Sequence, residues 1–139
     1  MYQRFGLVLV VNHACNLRCS YCYTGEKFPR SMPRTTGEKA IDRAVASTAP
    51  GGTLELGFFG GEPLIEASLI QSFIAYAQAA TKAGGLSLSI TITTNGTIAT
   101  PAAWAIMTDG AVDLSVSHDG LPEVHDRQSS SATGPIWRR

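Results

Sequence analysis

Three cysteines, Cys15, Cys19 and Cys22, are the only ones in the chain and stand within eight residues of one another. Neighbours this close make poor disulfide partners, and an odd number leaves one over. The Cys-x3-Cys-x2-Cys spacing, written CNLRCSYC, instead suits three thiolates converging from one loop onto metal. A 4Fe–4S cluster held by three thiolates keeps one iron open for a further ligand. A zinc ion could use the same sulfurs, with His13 as a fourth ligand in a Cys3His site. His13 and Cys15 are only two positions apart, which makes joint chelation awkward. No second ligand pair follows downstream, as structural zinc sites usually require. The cysteines favour iron–sulfur and leave zinc open.

Three further polar segments could line a site: Gly60-Gly61-Glu62-Pro63, Thr94-Asn95-Gly96 and Ser117-His118-Asp119-Gly120. Each also has a plainer reading. Gly60-Gly61 is a tight strand-to-helix turn, Glu62 a first-turn carboxylate, and Asn95-Gly96 and Asp119-Gly120 ordinary turn pairs. His13 reads as a loop histidine. His125 and Asp126 read as structural residues capping the next helix, and His118 faces either a substrate cavity or solvent.

These segments need elements to hold them. Phe5 to Val11 is a continuous apolar run, expected to be a strand buried on both faces. After the polar cysteine segment, Thr35 and Glu38 form a capping-box pattern ahead of Ala40, Ile41, Ala44 and Val45, an apolar stripe at helical spacing. Pro50-Gly51-Gly52 should stop that helix. Thr53 to Phe59 reads as a second strand. Leu69, Ile70, Phe73, Ile74 and Ala77 mark a second helix ending at Gly84-Gly85. Leu86, Leu88, Ile90 and Ile92 alternate with polar residues as a third strand. Thr100-Pro101 is a helix start, Gly110 its end, and Val112 to Val116 a fourth short strand. The order β-α-β-α-β-α-β implies an α/β fold with a parallel sheet: about three and a half units of a βα barrel or a doubly wound sheet. All four polar segments then fall at C-terminal strand ends, the rim where such folds bind ligands.

At 139 residues and 44% hydrophobic content, the chain can bury a domain-sized core, and eleven basic residues balance eleven acidic ones. That balance gives no field for nucleic acid or an anionic membrane. No apolar run approaches the ~20 residues of a membrane span, and no signal-peptide pattern precedes the first strand. A cytoplasmic protein is expected.

Together the four segments resemble the radical S-adenosylmethionine (SAM) superfamily. Cys15, Cys19 and Cys22, with Tyr21 as the aromatic before the last cysteine, look like its signature. GGEP at residues 60–63, TNG at 94–96 and the Ser117-x-Asp119-Gly120 segment continuing through Arg127 follow in the expected order. The resemblance implies a partial barrel whose cysteines bind a 4Fe–4S cluster. It implies that Gly60, Gly61 and Glu62 lie along the methionine end of SAM and recognise its amino group. The backbone at Tyr21 would touch the adenine. Ser117, with Asp119 as a second candidate, would approach the ribose or methionine end. Asn95 would shape the SAM pocket or order a loop. The implied activity is reductive cleavage of SAM to a 5′-deoxyadenosyl radical, driven by ferredoxin or flavodoxin. The details CNLRCSYCY, FFGGEP and DGLPEVHDR are most similar to the peptide- and protein-modifying branch, so a peptide or protein substrate is implied.

The resemblance runs to about residue 127. The second arginine that it places two residues beyond Arg127 is Ser129. Residues 128–139 show no period and are expected to be an irregular tail behind a partial core over 1–127. The fourth strand is expected to be a bare edge with no helix after it. The chain is expected to be a truncated product or to need a partner to complete the barrel. A non-catalytic cluster- or SAM-binding fragment and a zinc-binding interaction module are the competing functions.

Overall fold

The computed structural model describes residues 1–131. Four parallel strands form one sheet in the order β1-β3-β4-β5, comprising β1 (Tyr2–Asn12), β3 (Thr48–Gly60), β4 (Ser87–Thr94) and β5 (Val112–Val116). Helices α1 (Arg34–Ser47), α2 (Ala67–Ala83) and α3 (Pro101–Met107) connect them. Each new strand is added on the same side of the last, so the order never reverses as it does in a doubly wound sheet. This is one arc of a parallel βα barrel.

Register explains where the core lies. Leu9 pairs with Phe58 and Phe58 with Ile92, while Leu7, Leu56 and Ile90 form the row beneath. Parallel partners share a face, so these rows stack under the helices with Ile41, Ile70, Phe73, Ala77 and Ile106. Phe58 and Phe73 stack at 6.5 Å between centroids. Burying each such ring contributes about 1.5–3 kcal/mol.

Among the described residues, no helix covers the opposite face. Val8 is 64% exposed and Val10 44%, so β1 is buried on one face and not on both as its apolar run suggested. A barrel arc covers only its outer face with helices, and the facing strands that would shield the inner one are not among the described residues.

Other local expectations changed. The Thr35–Glu38 capping box does not form, because α1 begins at Arg34 with Pro33 as its cap and Thr35 is already inside the first turn. Arg34 instead pairs with Glu38 at 2.7 Å. Helix α1 stops at Ser47, and Pro50-Gly51-Gly52 lie within β3 at a shift in its register with β1. By contrast, the Thr100 hydroxyl caps α3 by accepting from the Ala103 amide. Beyond β5 a short helix does follow, α4 (Pro122–Gln128). Ser129–Ser131, expected to be irregular, form β6, which pairs antiparallel with β2 (Leu17–Cys19). Residues 132–139 of the expected tail lie outside the described residues.

Candidate functional site

The cysteine segment leaves the end of β1 and crosses the end of β3 at very short range. A Cβ on Gly60 would lie 2.4 Å from Asn12 Oδ1, and one on Gly61 would lie 2.2 Å from the Ala14 carbonyl oxygen. Only glycine permits this approach. Across it, Gly61 N donates to Asn12 O at 3.3 Å and Glu62 N to Ala14 O at 2.8 Å. Asn12 Nδ2 returns a bond to Glu62 O at 2.9 Å. The two glycines therefore seat the cysteine segment against the sheet.

Glu62 ties the second strand end to the third. Its side chain is buried, with the residue 1% exposed. Oε1 accepts from Leu64 N at 3.0 Å and from the Thr94 hydroxyl at 2.7 Å; Oε2 accepts from Asn95 N at 2.8 Å. Burial pushes its carboxyl above the ordinary value, against these hydrogen bonds. A carboxylate has about four acceptor places, so one remains on Oε2.

Asn95 then reaches the cysteines. Its Nδ2 donates to Asn16 Oδ1 at 3.0 Å and points at Cys15 Sγ at 3.9 Å, while its Oδ1 accepts from Thr97. Leu17 N also donates to Cys15 Sγ, at 3.4 Å. The Cys15 thiol is raised by burial, which the Leu17 bond partly offsets. Ser117 stands at the end of β5, where its amide donates to Thr94 O at 2.9 Å.

One open cleft joins these groups: Cys15, Cys19, Cys22 and Tyr21 with Gly60, Gly61, Glu62, Asn95 and Ser117 on its walls. Leu17, Tyr23, Thr24, Phe59, Thr93 and Thr94 complete it; of these Thr94 belongs to the Thr94-Asn95-Gly96 segment already singled out, and the others carry no ligand type that sequence reasoning would mark. Lys27 was also missed. Its ammonium donates to Cys22 Sγ at 2.9 Å, with Thr24 Oγ1 at 3.2 Å. A lysine five residues after a cysteine was the available signal. Those bonds lower the Cys22 thiol to about 7. In metal-free protein, iodoacetamide should therefore label Cys22 with a midpoint near pH 7, and Lys27→Met should move that midpoint upward. An unchanged profile would show that the ammonium does not hold the thiolate.

Asp119 is not among the residues lining that cleft. Its Oδ2 faces the Tyr21 hydroxyl at 3.1 Å, the Ser129 hydroxyl at 3.1 Å and His125 Nδ1 at 2.9 Å. Burial tends to raise its carboxyl, but the bonds from Tyr21, Ser129 and His125 outweigh it and the net shift is downward. His118, expected at a cavity or in solvent, stacks on His125 at 4.7 Å. His125 is buried inside α4, not at its cap.

His13 stacks on Phe28 at 4.5 Å and is not part of the cleft wall, so it does not stand with the cysteines as a fourth ligand. Among the described residues, no three Cys, His, Asp or Glu side chains already stand at metal-binding range. Three sulfurs on one cleft are nonetheless the donor set an iron–sulfur cluster takes, and loops of this kind complete their geometry around the metal. No helix among the described residues is long and apolar enough to cross a membrane.

Comparison with known proteins agrees with this arrangement. The chain is 32% identical over 146 residues to a GTP 3′,8-cyclase of Xanthomonas axonopodis pv. citri, covering 98% of this chain and 42% of the relative. It is 29% identical over 124 residues to the serine-type anaerobic sulfatase-maturating enzyme of Klebsiella aerogenes, covering 86% and 30%. The chain thus spans less than half the length of the curated relatives it matches. Among solved structures, "Native anSMEcpe with bound AdoMet and Kp18Cys peptide" matches with a TM-score of 0.75 at 20% identity, covering 94% of this chain and 36% of that one, a likeness of fold. Residues 9–133, which hold the cysteines and all four strand-end loops, match the Radical SAM superfamily, and the chain belongs to that family.

Proposed function

We propose that this chain is the cluster- and SAM-binding part of a radical SAM enzyme, with Cys15, Cys19 and Cys22 as ligands of a 4Fe–4S cluster. The observation that supports this best is the meeting of loops from β1, β3, β4 and β5 around one cleft whose lining includes all three cysteines. When bound, such a cluster supplies an open iron for the amino and carboxylate groups of SAM, and the electron that splits its sulfonium into methionine and a 5′-deoxyadenosyl radical.

The chain's own residues position and shield. Leu17 N and Asn95 Nδ2 face the Cys15 sulfur, and hydrogen bonds to ligating sulfur tune a cluster's potential. Glu62, locked by three donors, keeps its remaining acceptor place for the ammonium of SAM, so the carboxylate is oriented before any ligand arrives. Gly60 and Gly61 hold the backbone beside it. Ser117 offers a hydroxyl to the ribose or methionine end, and the Tyr21 backbone a surface for the adenine. Leu17, Tyr23 and Phe59 give the cleft apolar wall that limits water.

A peptide or protein is the proposed substrate, supported by the likeness to the sulfatase-maturating enzyme. The likeness to the GTP 3′,8-cyclase makes a nucleotide the competing class. Ferredoxin or flavodoxin would be the reductant. Protein reconstituted anaerobically with iron and sulfide, then reduced in the presence of SAM, is expected to release 5′-deoxyadenosine, measured by mass spectrometry. Faster release with a sulfatase-derived peptide than with GTP would favour the peptide class. A fully loaded, reduced protein that releases none would favour the non-catalytic cluster-binding reading, and one zinc per chain without sulfide would favour the interaction module.

A further inference from the structure

We propose that Asp119, His125 and Ser129 form a clasp that holds the cysteine loop in its working position, Asp119 acting through the Tyr21 hydroxyl and Ser129 through its strand pairing with Cys19. The proposal rests on the reading of the three cysteines as cluster ligands.

The clasp is built from two sets of bonds that converge on one short stretch of chain. The first is backbone. β6 pairs with β2 so that Ser129 lies opposite Cys19, Ser130 opposite Arg18 and Ser131 opposite Leu17. Ser20 N extends the ladder by donating to Gln128 O at 2.8 Å, and the side chains of Ser20 and Gln128 are also hydrogen-bonded. Cys19 is thus the one cysteine inside a strand ladder; Cys15 and Cys22 flank it on loop.

The second set is a polar knot. The hydroxyls of Tyr21 and Ser129 lie 3.1 Å from each other and 3.1 Å from the same atom, Asp119 Oδ2. His125 Nδ1 lies 2.9 Å from that oxygen and 3.3 Å from Asp119 N: with its proton on Nδ1 the ring donates to the carboxylate, and without it the ring accepts from the amide, so either tautomer binds Asp119. His125 is 2% exposed and Ser129 1%, and the His118 ring covers His125 from one side. The charge of a full carboxylate strengthens each bond made at that shared oxygen; the neutral amide oxygen of an asparagine would hold the same partners less well.

The purpose of this knot is visible in what it leaves out. No residue of α4 or β6 belongs to the hydrophobic core. These elements add little to the burial that stabilises the sheet, and they are bonded to the cysteine loop through both backbone and side chains. Tyr21 lies between two proposed ligands, so fixing its hydroxyl restricts the Cys19–Cys22 turn before any metal binds. In this arrangement Asp119 is a positioning residue, and its carboxylate is engaged by the protein's own donors.

Hydrogen exchange on the metal-free full chain tests the clasp without needing cluster or SAM. Asp119→Ala should speed exchange at residues 17–20 by about tenfold or more while β3 and β4 stay protected, since local opening and global unfolding are separable. Tyr21→Phe, which removes only the hydroxyl, should act in the same direction, and the double variant should be no worse than Asp119→Ala alone. Asp119→Asn, keeping one oxygen, should fall between. In loaded protein the same variants should lose iron to a chelator faster than wild type, in the same rank order. Unchanged exchange at 17–20 in Asp119→Ala overturns the clasp. So does normal exchange and iron retention combined with a weakened SAM-induced change in the reduced cluster's EPR spectrum, which would make Asp119 a SAM contact. If wild type binds no iron, the cluster reading fails and the exchange measurement still decides the clasp.

Discussion

Cys19→Ala protein, reconstituted anaerobically with iron and sulfide, is expected to hold almost no iron, against about four irons per chain for wild type with a 4Fe–4S cluster. The expected loss is near complete because, on the proposed reading, three thiolates make up the whole protein ligand set. Two of them cannot hold a cluster against dissociation, and His13 is stacked on Phe28 away from the cleft. The fold should survive the change. Cys19 contributes its backbone to β2, and the pairing with Ser129 needs no side chain. Far-ultraviolet circular dichroism should therefore match wild type while the visible charge-transfer absorbance and acid-labile sulfide disappear. Wild-type iron and sulfide in the variant would show that the ligand set is wrong. Equivalent changes at Cys15 and Cys22 should behave alike, although Cys15 is half-buried against Leu17 and Asn95 while Cys22 is exposed beside Lys27.

The second large effect is expected at Gly61, and on stability. An alanine Cβ there would sit 2.2 Å from Ala14 O, 2.6 Å from Ala14 C and 2.9 Å from His13 O. All three are backbone atoms, so no side-chain rotation relieves the overlap. The β3 end and the cysteine segment must separate, and the Glu62 N to Ala14 O bond is lost at a buried residue. Overpacking plus an unmade buried hydrogen bond costs about 2–4 kcal/mol. The urea midpoint should fall accordingly, with iron loading impaired as well, because Cys15 follows Ala14 directly. Gly110→Ala is the control. Its Cβ meets nothing within 4 Å, and its midpoint should move by no more than about 0.5 kcal/mol equivalent. A wild-type midpoint for Gly61→Ala would mean that the two segments do not approach as closely as the structure places them.

Glycine at 60 and 61 illustrates how far sequence reasoning reached. The motif identified the turn and its neighbourhood correctly. It did not reveal that these residues are glycine because Asn12 and Ala14 lie against them, since those partners are nearly fifty residues away and no local pattern encodes the contact. Glu62 was legible as a candidate, but its three donors come partly from Thr94 and Asn95 on another strand. The helix starts tell the same story from the other side. Thr100-Pro101 acted as local chemistry predicts, whereas Thr35 and Glu38 matched a capping pattern two residues too late, because the helix already begins at Arg34 with Pro33 as its cap.

What the sequence determined by itself was therefore the alternation of strands and helices, the identity of the cysteine loop, and the strand ends that carry polar chemistry. Those follow from spacing and periodicity, which are properties of neighbouring residues. Tertiary structure alone decided that β1 has one bare face, that Lys27 rather than His13 attends the cysteines, and that the chain past α4 returns as β6 to pair with Cys19. Ser129 and Asp119 have no local pattern joining them to Tyr21, about a hundred residues earlier. Their meeting depends on the path of the barrel arc, which brings the end of β5 back over the loop that leaves β1.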